Sequence, residues 1–295
     1  MNTQKRIFAL GFFDGVHLGH QALLRECVRL ARELACESAV ITFDRHPRSL
    51  FMKDAPMLVS TLPDRLALLK SYGMEYIETF PVTGETMATP WQEFLEMLLQ
   101  KGAAGFVCGR DFRFGHRGEG NSENLRCFCE TRGLPCVILE EQTLDGIRVS
   151  STHIRRQIEE GDMATAVRFL GHPYVLTGTV VPGKQLGRRL GVPTANLRLP
   201  EDAAVPKFGV YACRCRIGGD SYPAVTNVGT RPTVEGRGIT VEPWILDYSG
   251  DLYGRDITLE FYRFLRREQK FPDLEALKTQ IRADAAQTRE YLNRI

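Results

Sequence analysis

The sequence predicts an α/β domain with a Rossmann-like parallel sheet, followed by a small all-β barrel of Greek-key type that ends in a helix. In the first half of the chain, apolar runs typical of buried strands alternate with amphipathic helix patterns, and this order implies a parallel sheet covered by helices. After Tyr174, β-like runs separated by Gly-Gly-Asp and Ser-Gly-Asp turns replace the helix patterns. We therefore expect two domains, residues 1–172 and residues 173–295.

The elements of the first domain follow from hydrophobic periodicity and from helix-start signals. Residues 21–35 place apolar side chains at helical spacing, and Pro63 and Pro90 stand just inside the starts of two later helices. The predicted strands are residues 7–12, 38–43, 75–80, 105–108 and 135–140. The predicted helices are residues 21–35, 61–73, 89–102, 149–161 and 163–170.

The elements of the second domain are mostly short strands, as in a closed barrel. The last helix begins with Asp273 as its N-cap and carries one apolar face, which we expect to pack against the barrel. The predicted strands are residues 174–181, 208–217, 221–228, 240–248 and 257–265.

The composition is that of a soluble globular protein, with 295 residues of which 43% are hydrophobic and 25% charged. The net charge of +2 is too balanced for nucleic-acid binding to be the main function. No run approaches the roughly 18 apolar residues of a membrane span, and the start of the chain lacks a signal-peptide pattern, so we expect a cytoplasmic protein without a membrane partner. The eight cysteines include no Cys-x-x-Cys pair, which favours reduced thiols over a zinc site. The sequence is compatible with a homo-oligomer.

The most informative stretch is residues 11–20, Gly-Phe-Phe-Asp-Gly-Val-His-Leu-Gly-His, which joins the first predicted strand to the first helix. A helix N-terminus there offers unpaired N–H groups and a positive dipole end, which suit a phosphate. His17 and His20 lie one helical turn apart and face the same way. A turn with two helix-capping histidines is the alternative, but the strand-to-helix context favours a nucleotide site. Three glycines would let the nucleotide approach the backbone: Gly11, Gly15 and Gly19.

Hydroxyl groups cluster at the start of a later helix, in the string Val-Ser-Ser-Thr-His-Ile-Arg-Arg. One hydroxyl suffices as an N-cap, worth about 1 kcal/mol, and this leaves the others and an arginine one turn on unexplained. A triphosphate explains them better: Ser151 and Thr152 would donate to β- and γ-phosphate oxygens, and Arg155 would stabilise the departing pyrophosphate.

Two loops at predicted strand ends are ambiguous from sequence. His46, after the second strand, would touch a substrate phosphate or serve only as a turn residue. The loop Gly-Arg-Asp-Phe-Arg-Phe-Gly after the fourth strand interleaves charges with Phe112 and Phe114, which would pack on a flat ring. An ordinary surface loop has a similar composition, so both interpretations stay open.

A glycine-rich segment, residues 183–196, marks the second domain. Such a loop can fold over phosphates, and the Thr194 hydroxyl and the Asn196 amide oxygen are hard ligands that suit Mg²⁺. A barrel loop without a ligand is the alternative. The carboxylate of Glu242 stands in an apolar strand, where burial would raise its pKa as a general base requires. Solvation at an edge strand is the other explanation, since Pro243 follows it.

Together these motifs resemble the bacterial bifunctional riboflavin kinase and FMN adenylyltransferase family, also called FAD synthetases. The His-x-Gly-His and Ser-Ser-Thr-x-Ile-Arg strings are similar to its nucleotidyltransferase motifs, and Gly-Arg-x-Leu-Gly-x-Pro-Thr-Ala-Asn is similar to its riboflavin kinase signature. The resemblance covers nearly the whole chain, with Arg45 and Pro243 as departures. It implies that the barrel phosphorylates riboflavin to FMN and that the first domain adenylates FMN to FAD, with ATP as co-substrate and Mg²⁺ as cofactor.

The resemblance also implies roles for individual residues. The catalytic residues would be His17, His20, Arg155 and Glu242. The ATP site of the adenylyltransferase would comprise Gly11, Phe12, Phe13, Asp14, Gly15, Gly19, Ser151 and Thr152. The flavin would contact Asp111 and Arg266. The ATP site of the kinase would comprise Gly183, Gly187, Arg188, Gly191, Thr194 and Asn196, of which the last two would also hold the metal.

Two rival functions remain at this point. One is a single-activity adenylyltransferase whose barrel only binds flavin, against which Thr194 and Glu242 argue. The other is a non-catalytic flavin sensor, which would not need the His17 and His20 pair.

Overall fold

The computed structural model describes residues 4–183, 191–233 and 236–295. The chain packs as two compact units, one formed by Met1–Leu58 with Leu62–Ser151 and the other by Val59–Thr61 with Thr152–Ile295. The division after residue 172 that the sequence suggests stays a prediction.

The first unit contains a five-stranded parallel sheet, as predicted. Its order is β3-β2-β1-β4-β5, with β1 in the centre. The strands are β1 (Arg6–Leu10), β2 (Glu37–Phe43), β3 (Tyr76–Phe80), β4 (Ala103–Gly109) and β5 (Cys136–Leu139). The helices are α1 (Leu18–Glu33), α2 (Leu62–Ser71), α3 (Gly84–Ala88), α4 (Trp91–Gln100) and α5 (Ser122–Glu130), followed by a hairpin of β6 (Thr143–Leu144) and β7 (Ile147–Arg148).

Helices cover both faces of this sheet. Alternate side chains of β1 point to opposite layers, so Ile7 lies in the core under α1 and Phe8 in the core under α4 and α5. Both side chains are completely buried. Pro90 is the N-cap of α4 rather than its first residue, a small correction to the predicted start.

The strand order creates a switch point beside β1, because the chain builds outward first through β2 and β3 and then through β4 and β5. Ligands of doubly wound sheets bind at the carboxyl ends of the strands at such a point. Residues 11–17 leave the carboxyl end of β1, and residues 110–115 leave that of its neighbour β4. The topology therefore brings two of the predicted motif loops to one edge of the sheet.

The second unit contains a closed antiparallel barrel in the order β10-β11-β12-β9-β8-β13. The barrel and the C-terminal helix confirm the predicted fold class. The strands are β8 (Tyr174–Val181), β9 (Asn196–Arg198), β10 (Gly209–Ile217), β11 (Asp220–Thr233), β12 (Gly236–Ile245) and β13 (Asp256–Arg266). The helices are α6 (Ser151–Glu160), α7 (Met163–Leu170) and α8 (Leu274–Leu292).

Side chains alternate between the interior and the outside of the barrel, as in β8, where Tyr174 and Leu176 are buried and Val175 is half-buried. Helix α7 packs against β8 and β13, and α8 packs against β10 and β11. Asp273 caps α8 by accepting a hydrogen bond from the backbone N–H of Ala276 at 2.8 Å, as predicted. No helix in the described part of the chain is long and apolar enough to cross a membrane.

Candidate active sites

The backbone between β1 and α1 makes a tight left-handed turn. Phe13 has φ 59° and Val16 has φ 40°, conformations that cost a residue with a side chain about 1 kcal/mol or more. Gly15 has φ 78°, and a Cβ at Gly11 would lie 2.9 Å from the Phe13 ring, so both positions need glycine. Strain of this kind concentrates at functional sites, which agrees with a nucleotide site at this turn.

The two histidines of the turn lie face to face. Their rings stack with centroids 3.6 Å apart and an interplanar angle of 14°. His17 is the N-cap of α1, since its Nδ1 accepts a hydrogen bond from the backbone N–H of His20 at 3.3 Å. Gly19 leaves room for this ring, because a Cβ there would lie 3.3 Å from it. The shared direction of the pair is as predicted, and the capping alternative holds for His17 as well.

His20 is held in its neutral form. Burial, the neighbouring His17 and the positive charge of Arg65 together hold the pKa of His20 well below its usual range. Its Nδ1 atom is buried without a hydrogen-bond partner among the described residues. A bound phosphate would favour the protonated form of such a ring, so anion binding at His20 would be coupled to proton uptake.

Ser151 is tied to the same turn, because its Oγ donates a hydrogen bond to the backbone carbonyl of Asp14 at 2.8 Å. Asp14 itself is buried, with 2% of its surface exposed. A serine hydroxyl has one proton, so Ser151 would have to release Asp14 before donating to a phosphate. Thr152 and Arg155 follow Ser151 in the first turns of α6.

The loop after β4 differs in part from its sequence interpretation. Phe114 is 6% exposed and belongs to the core under α4 and α5, so its ring packs on the protein itself, whereas Phe112, which stacks on it at 5.6 Å, is only partly buried. Asp111 is exposed and pairs with Arg148 of β7, which also lies 3.1 Å from Glu141. The flavin role of Asp111 stays a prediction, and Arg148 is a candidate that the sequence analysis missed.

The segment after β2 contains a histidine that serves as a turn residue. His46 Nδ1 accepts a hydrogen bond from the backbone N–H of Arg48 at 3.1 Å and caps a short 3-10 helix. Its ring meets the Phe12 ring edge-on at 5.2 Å. Arg45 is exposed and lies 3.6 Å from Asp44.

A cavity of about 370 Å³ lies in the barrel unit, a size that suits a small organic ligand. Thr194, Glu242 and Arg266, which come from three separate motifs, all line it. The cavity therefore brings together one predicted metal ligand, the predicted base and one predicted flavin residue, while Asn196, the other predicted metal ligand, is not among its lining residues. It also contains polar residues that the sequence analysis missed: Asn227, Glu268 and Asp284.

Glu242 lies in β12, which pairs with β11 on one side and with β9 on the other. β12 is thus an interior strand of the barrel, and edge solvation does not account for this carboxylate. The carbonyl of Pro243 accepts a hydrogen bond from the backbone N–H of Ala195 at 2.9 Å. Since the N–H and C=O of one strand residue point to the same side, the missing N–H of Pro243 faces the short partner β9 and leaves the pairing with β11 intact.

The structure describes both ends of the glycine-rich segment, Gly183 and residues 191–196. Gly183 touches Asn196, since a Cβ at residue 183 would lie 2.2 Å from the Asn196 Nδ2 atom, and Gly191 has φ 73°. Thr194 bridges to Trp244 of β12 and is exposed to the cavity. Gly187 and Arg188, two predicted kinase ATP residues, lie outside the described residues.

Replacement of Gly183 by alanine is expected to displace the Asn196 side chain, because the new methyl group would overlap its amide. We expect FMN formation to fall by about tenfold to a hundredfold, as for other misplacements of about 1 Å at an active site. The check is the rate of FMN formation from riboflavin and ATP. The matched control is Gly84→Ala, where a Cβ meets nothing within 4 Å, and equal rates for the two variants would contradict the prediction.

Arg266 is anchored by a buried carboxylate of α8. Asp284 is 2% exposed and accepts hydrogen bonds from Arg266 Nε at 3.0 Å and Nη2 at 2.8 Å, and from Gln280 at 2.9 Å. The Arg266 guanidinium carbon lies 5.7 Å from the centroid of the Phe271 ring. The ion pair fixes the guanidinium at one wall of the cavity, where the Phe271 ring also lies.

Loss of this buried pair is expected to destabilise the protein strongly. Asp284→Ala leaves Arg266, whose side chain is 20% exposed, without its buried partner, a change that costs up to about 3–5 kcal/mol of unfolding free energy. Urea denaturation of both variants checks this. The matched control is Arg289→Ala, on the same helix as Asp284, which removes the exposed pair of Arg289 with Asp247 and should leave the midpoint nearly unchanged. A similar midpoint for the two variants would contradict the buried-pair account.

Glu268 forms a second polar link at the cavity. Its Oε1 accepts a hydrogen bond from Asn227 Nδ2 at 3.0 Å, and Asn227 is the cross-strand partner of Glu242. Gly229 makes room for Glu268, since a Cβ there would lie 2.5 Å from Oε1. The structure thus places Glu242 and Glu268 in one cavity with a third carboxylate, Asp284, which is paired with Arg266.

Two family models match the chain, a FAD synthetase model over residues 1–153 and a riboflavin kinase model over residues 170–292. The chain belongs to the family of bifunctional riboflavin kinases and FMN adenylyltransferases. The resemblance inferred from the motifs is confirmed. The chain has both activities of the family, riboflavin kinase and FMN adenylyltransferase.

Relatives match over nearly their whole length. The bifunctional riboflavin kinase/FMN adenylyltransferase of Pseudomonas fluorescens is 38% identical over 292 residues, 96% of this chain and 92% of that protein. The protein of the same name from Listeria monocytogenes is 33% identical over 294 residues, 98% and 93% of the two chains. A crystal structure described as that of a macrolide-efflux protein from Streptococcus pneumoniae matches with a TM-score of 0.87 and 29% identity, over 98% of this chain and 95% of that chain. Both domains of the family are therefore present here in the same order.

Proposed function

We propose that the turn between β1 and α1 is the FMN adenylyltransferase site and that the barrel cavity is the riboflavin kinase site. The matched family regions agree with this assignment, because residues 1–153 contain the turn and residues 170–292 contain the cavity. The observation that carries the proposal is the single cavity of about 370 Å³ shared by Thr194, Glu242 and Arg266. Because ATP is the donor in both steps, we place the enzyme in the cytoplasm.

In the kinase step, Glu242 accepts the proton of the riboflavin 5′-hydroxyl as this oxygen attacks the γ-phosphate of ATP, the bond to the β,γ-bridging oxygen breaks and ADP leaves. A positioned base of this kind contributes about 10²- to 10⁴-fold to the rate. Arg266, fixed by Asp284, holds the flavin side of the cavity together with Phe271. Positioning and charge neutralisation supply most of the remaining acceleration in phosphoryl transfer.

The donor set at the kinase site fits Mg²⁺. The Thr194 hydroxyl and the Asn196 amide oxygen are neutral hard oxygens, and Mg²⁺ takes such ligands together with waters and substrate phosphates. The described residues contain no cluster of three His, Cys, Asp or Glu side chains suited to a metal, so phosphate oxygens would complete the coordination. When bound, the ion neutralises charge on the triphosphate.

In the adenylyltransferase step, the FMN phosphate attacks the α-phosphate of ATP, and pyrophosphate leaves. The nucleophile is already an anion, so no base and no covalent enzyme intermediate are needed. His17 and His20 stabilise the charge on the α-phosphate, and Arg155 stabilises the departing pyrophosphate. Ser151 and Thr152 bind the β- and γ-phosphates at the start of α6.

One assay tests the proposal. The protein is incubated with riboflavin, ATP and Mg²⁺, and FMN and FAD are separated by chromatography; a second reaction starts from FMN. We expect both products in the first reaction and FAD in the second. If FAD forms from FMN but no FMN forms from riboflavin, the barrel only binds flavin. If neither product forms, the flavin sensor is favoured.

A further inference from the structure

Arg65 is an unusual residue in the first unit because its charged side chain is completely buried in α2. A guanidinium is costly to bury unless its contacts compensate for lost water. Its central carbon lies 4.4 Å from the centroid of the Phe12 ring, a cation–π contact, and its Nη2 donates a hydrogen bond to the carbonyl of Phe43. Arg65 therefore connects α2 to the carboxyl ends of β1 and β2.

These contacts fix Phe12, the second residue of the turn that carries the histidines. The carbonyl of Phe12 accepts a hydrogen bond from Thr42 Oγ1 at 2.8 Å. Its ring meets the Phe43 ring at 6.3 Å and the His46 ring at 5.2 Å. With the guanidinium on the ring, Phe12 is held from several sides, and the backbone next to it is presented in one conformation.

The charge of Arg65 also acts on the other end of the turn. Helix α2 packs against the segment Asp14–Val16, and the Arg65 charge is one cause of the low pKa of His20, after burial and His17. The segment and α2 also carry the buried carboxylates of Asp14 and Asp64, and α2 carries the exposed Lys70. His46, which follows β2, contacts the turn through the Phe12 ring.

We propose that Arg65 is a positioning residue of the adenylyltransferase site, which fixes the Phe12 ring and sets the electrostatic field in which His20 meets the triphosphate. This inference rests on the assignment of the turn as the adenylyltransferase site. In the free enzyme the buried charge of Arg65 adds to burial and to His17 in holding the pKa of His20 below its usual range. An incoming triphosphate brings negative charge, which favours the protonated form of His20. The His20 ring therefore becomes positive only when the anion is bound.

The experiment compares Arg65→Met, which removes the charge at similar length, with Arg65→Lys, which keeps the charge but loses the planar fork. The matched control is Lys70→Met, which removes an exposed charge from the same helix. For each variant, kcat and KM for ATP in FAD formation from FMN are measured between pH 5.5 and 8.5. His20 is titrated by NMR, with His20→Asn used to assign its signal, and FMN formation from riboflavin reports on the barrel unit.

We expect Arg65→Met to lower kcat/KM for ATP by at least about tenfold and to shift the His20 titration upward only in part, because burial and His17 continue to lower its pKa. The pH profile of FAD formation should shift in the same direction. Arg65→Lys should keep the wild-type titration and lose less activity. Lys70→Met should match the wild type, and FMN formation should be unchanged throughout.

Several outcomes would overturn the proposal. If the Arg65→Met protein is less stable but keeps the wild-type His20 titration and pH profile, then Arg65 contributes only to the stability of the fold. If Arg65→Met fails to fold, the NMR titration of His20 in the wild type tests the proposal. A wild-type His20 that titrates at about 6.5 or above would contradict it. Failure of the site assignment itself is separate: it would appear as full FAD formation by a His17→Ala/His20→Ala double variant.

Discussion

Replacement of Glu242 by glutamine is expected to lower the rate of FMN formation by about 10²- to 10⁴-fold, the contribution of a positioned general base. Glutamine keeps the size of the side chain and its place in β12 but cannot take the proton of the 5′-hydroxyl. Riboflavin binding should persist, so kcat should fall more than KM rises. The measurement is steady-state FMN formation with riboflavin and ATP.

The matched control is Glu268→Gln, because the second carboxylate lines the same cavity and is occupied by the Asn227 amide. We expect a much smaller loss from this change. FAD formation from supplied FMN should be normal in both variants. If Glu268→Gln were the inactive variant and Glu242→Gln the active one, the base would have been assigned to the wrong carboxylate.

Replacement of His20 by alanine is expected to lower FAD formation from FMN by about 10²- to 10³-fold, as for loss of one group that stabilises transition-state charge. The stacked His17 ring would remain as the N-cap of α1, so the helix should keep its start. The measurement is the initial rate of FAD formation at saturating FMN and ATP.

The control for His20 is His116→Ala, because His116 lies in an exposed loop of the same unit, 3.9 Å from Glu119. This variant should retain the wild-type rate. FMN formation from riboflavin should be unchanged in both. Near-normal FAD formation by His20→Ala would contradict a catalytic role for His20, and the histidine pair would then serve only to cap and pack α1.

Much of the fold could be predicted from sequence because local signals carry it. The apolar run before residues 11–20 and the amphipathic pattern after them marked β1 and α1, and the change to short strands after Tyr174 marked the barrel. Strand ends were less accurate. The run predicted as residues 240–248 is Gly236–Ile245, and the chain turns at Asp247, which has φ 61°.

The cavity and the turn contain residues that sequence reasoning missed because their partners are distant in the chain. Asp284 meets Arg266 across 18 residues, and Glu268 meets Asn227 across 41. Ser151 and Asp14 were both predicted as site residues, but the hydrogen bond between them, across 137 residues, was not. Glu268 lies in a charged run that looks solvated, and Arg65 carries no motif at all. Only tertiary structure shows which of these charges are buried or paired.

The central claim is that two separate sites carry out the two reactions. The most direct test gives riboflavin, ATP and Mg²⁺ to the Glu242→Gln variant, to the His20→Ala variant and to an equal mixture, and measures FMN and FAD by chromatography. The account predicts little product from the first, accumulation of FMN by the second and FAD from the mixture, since FMN made by one variant is adenylated by the other. A single substitution that abolishes both reactions would contradict it.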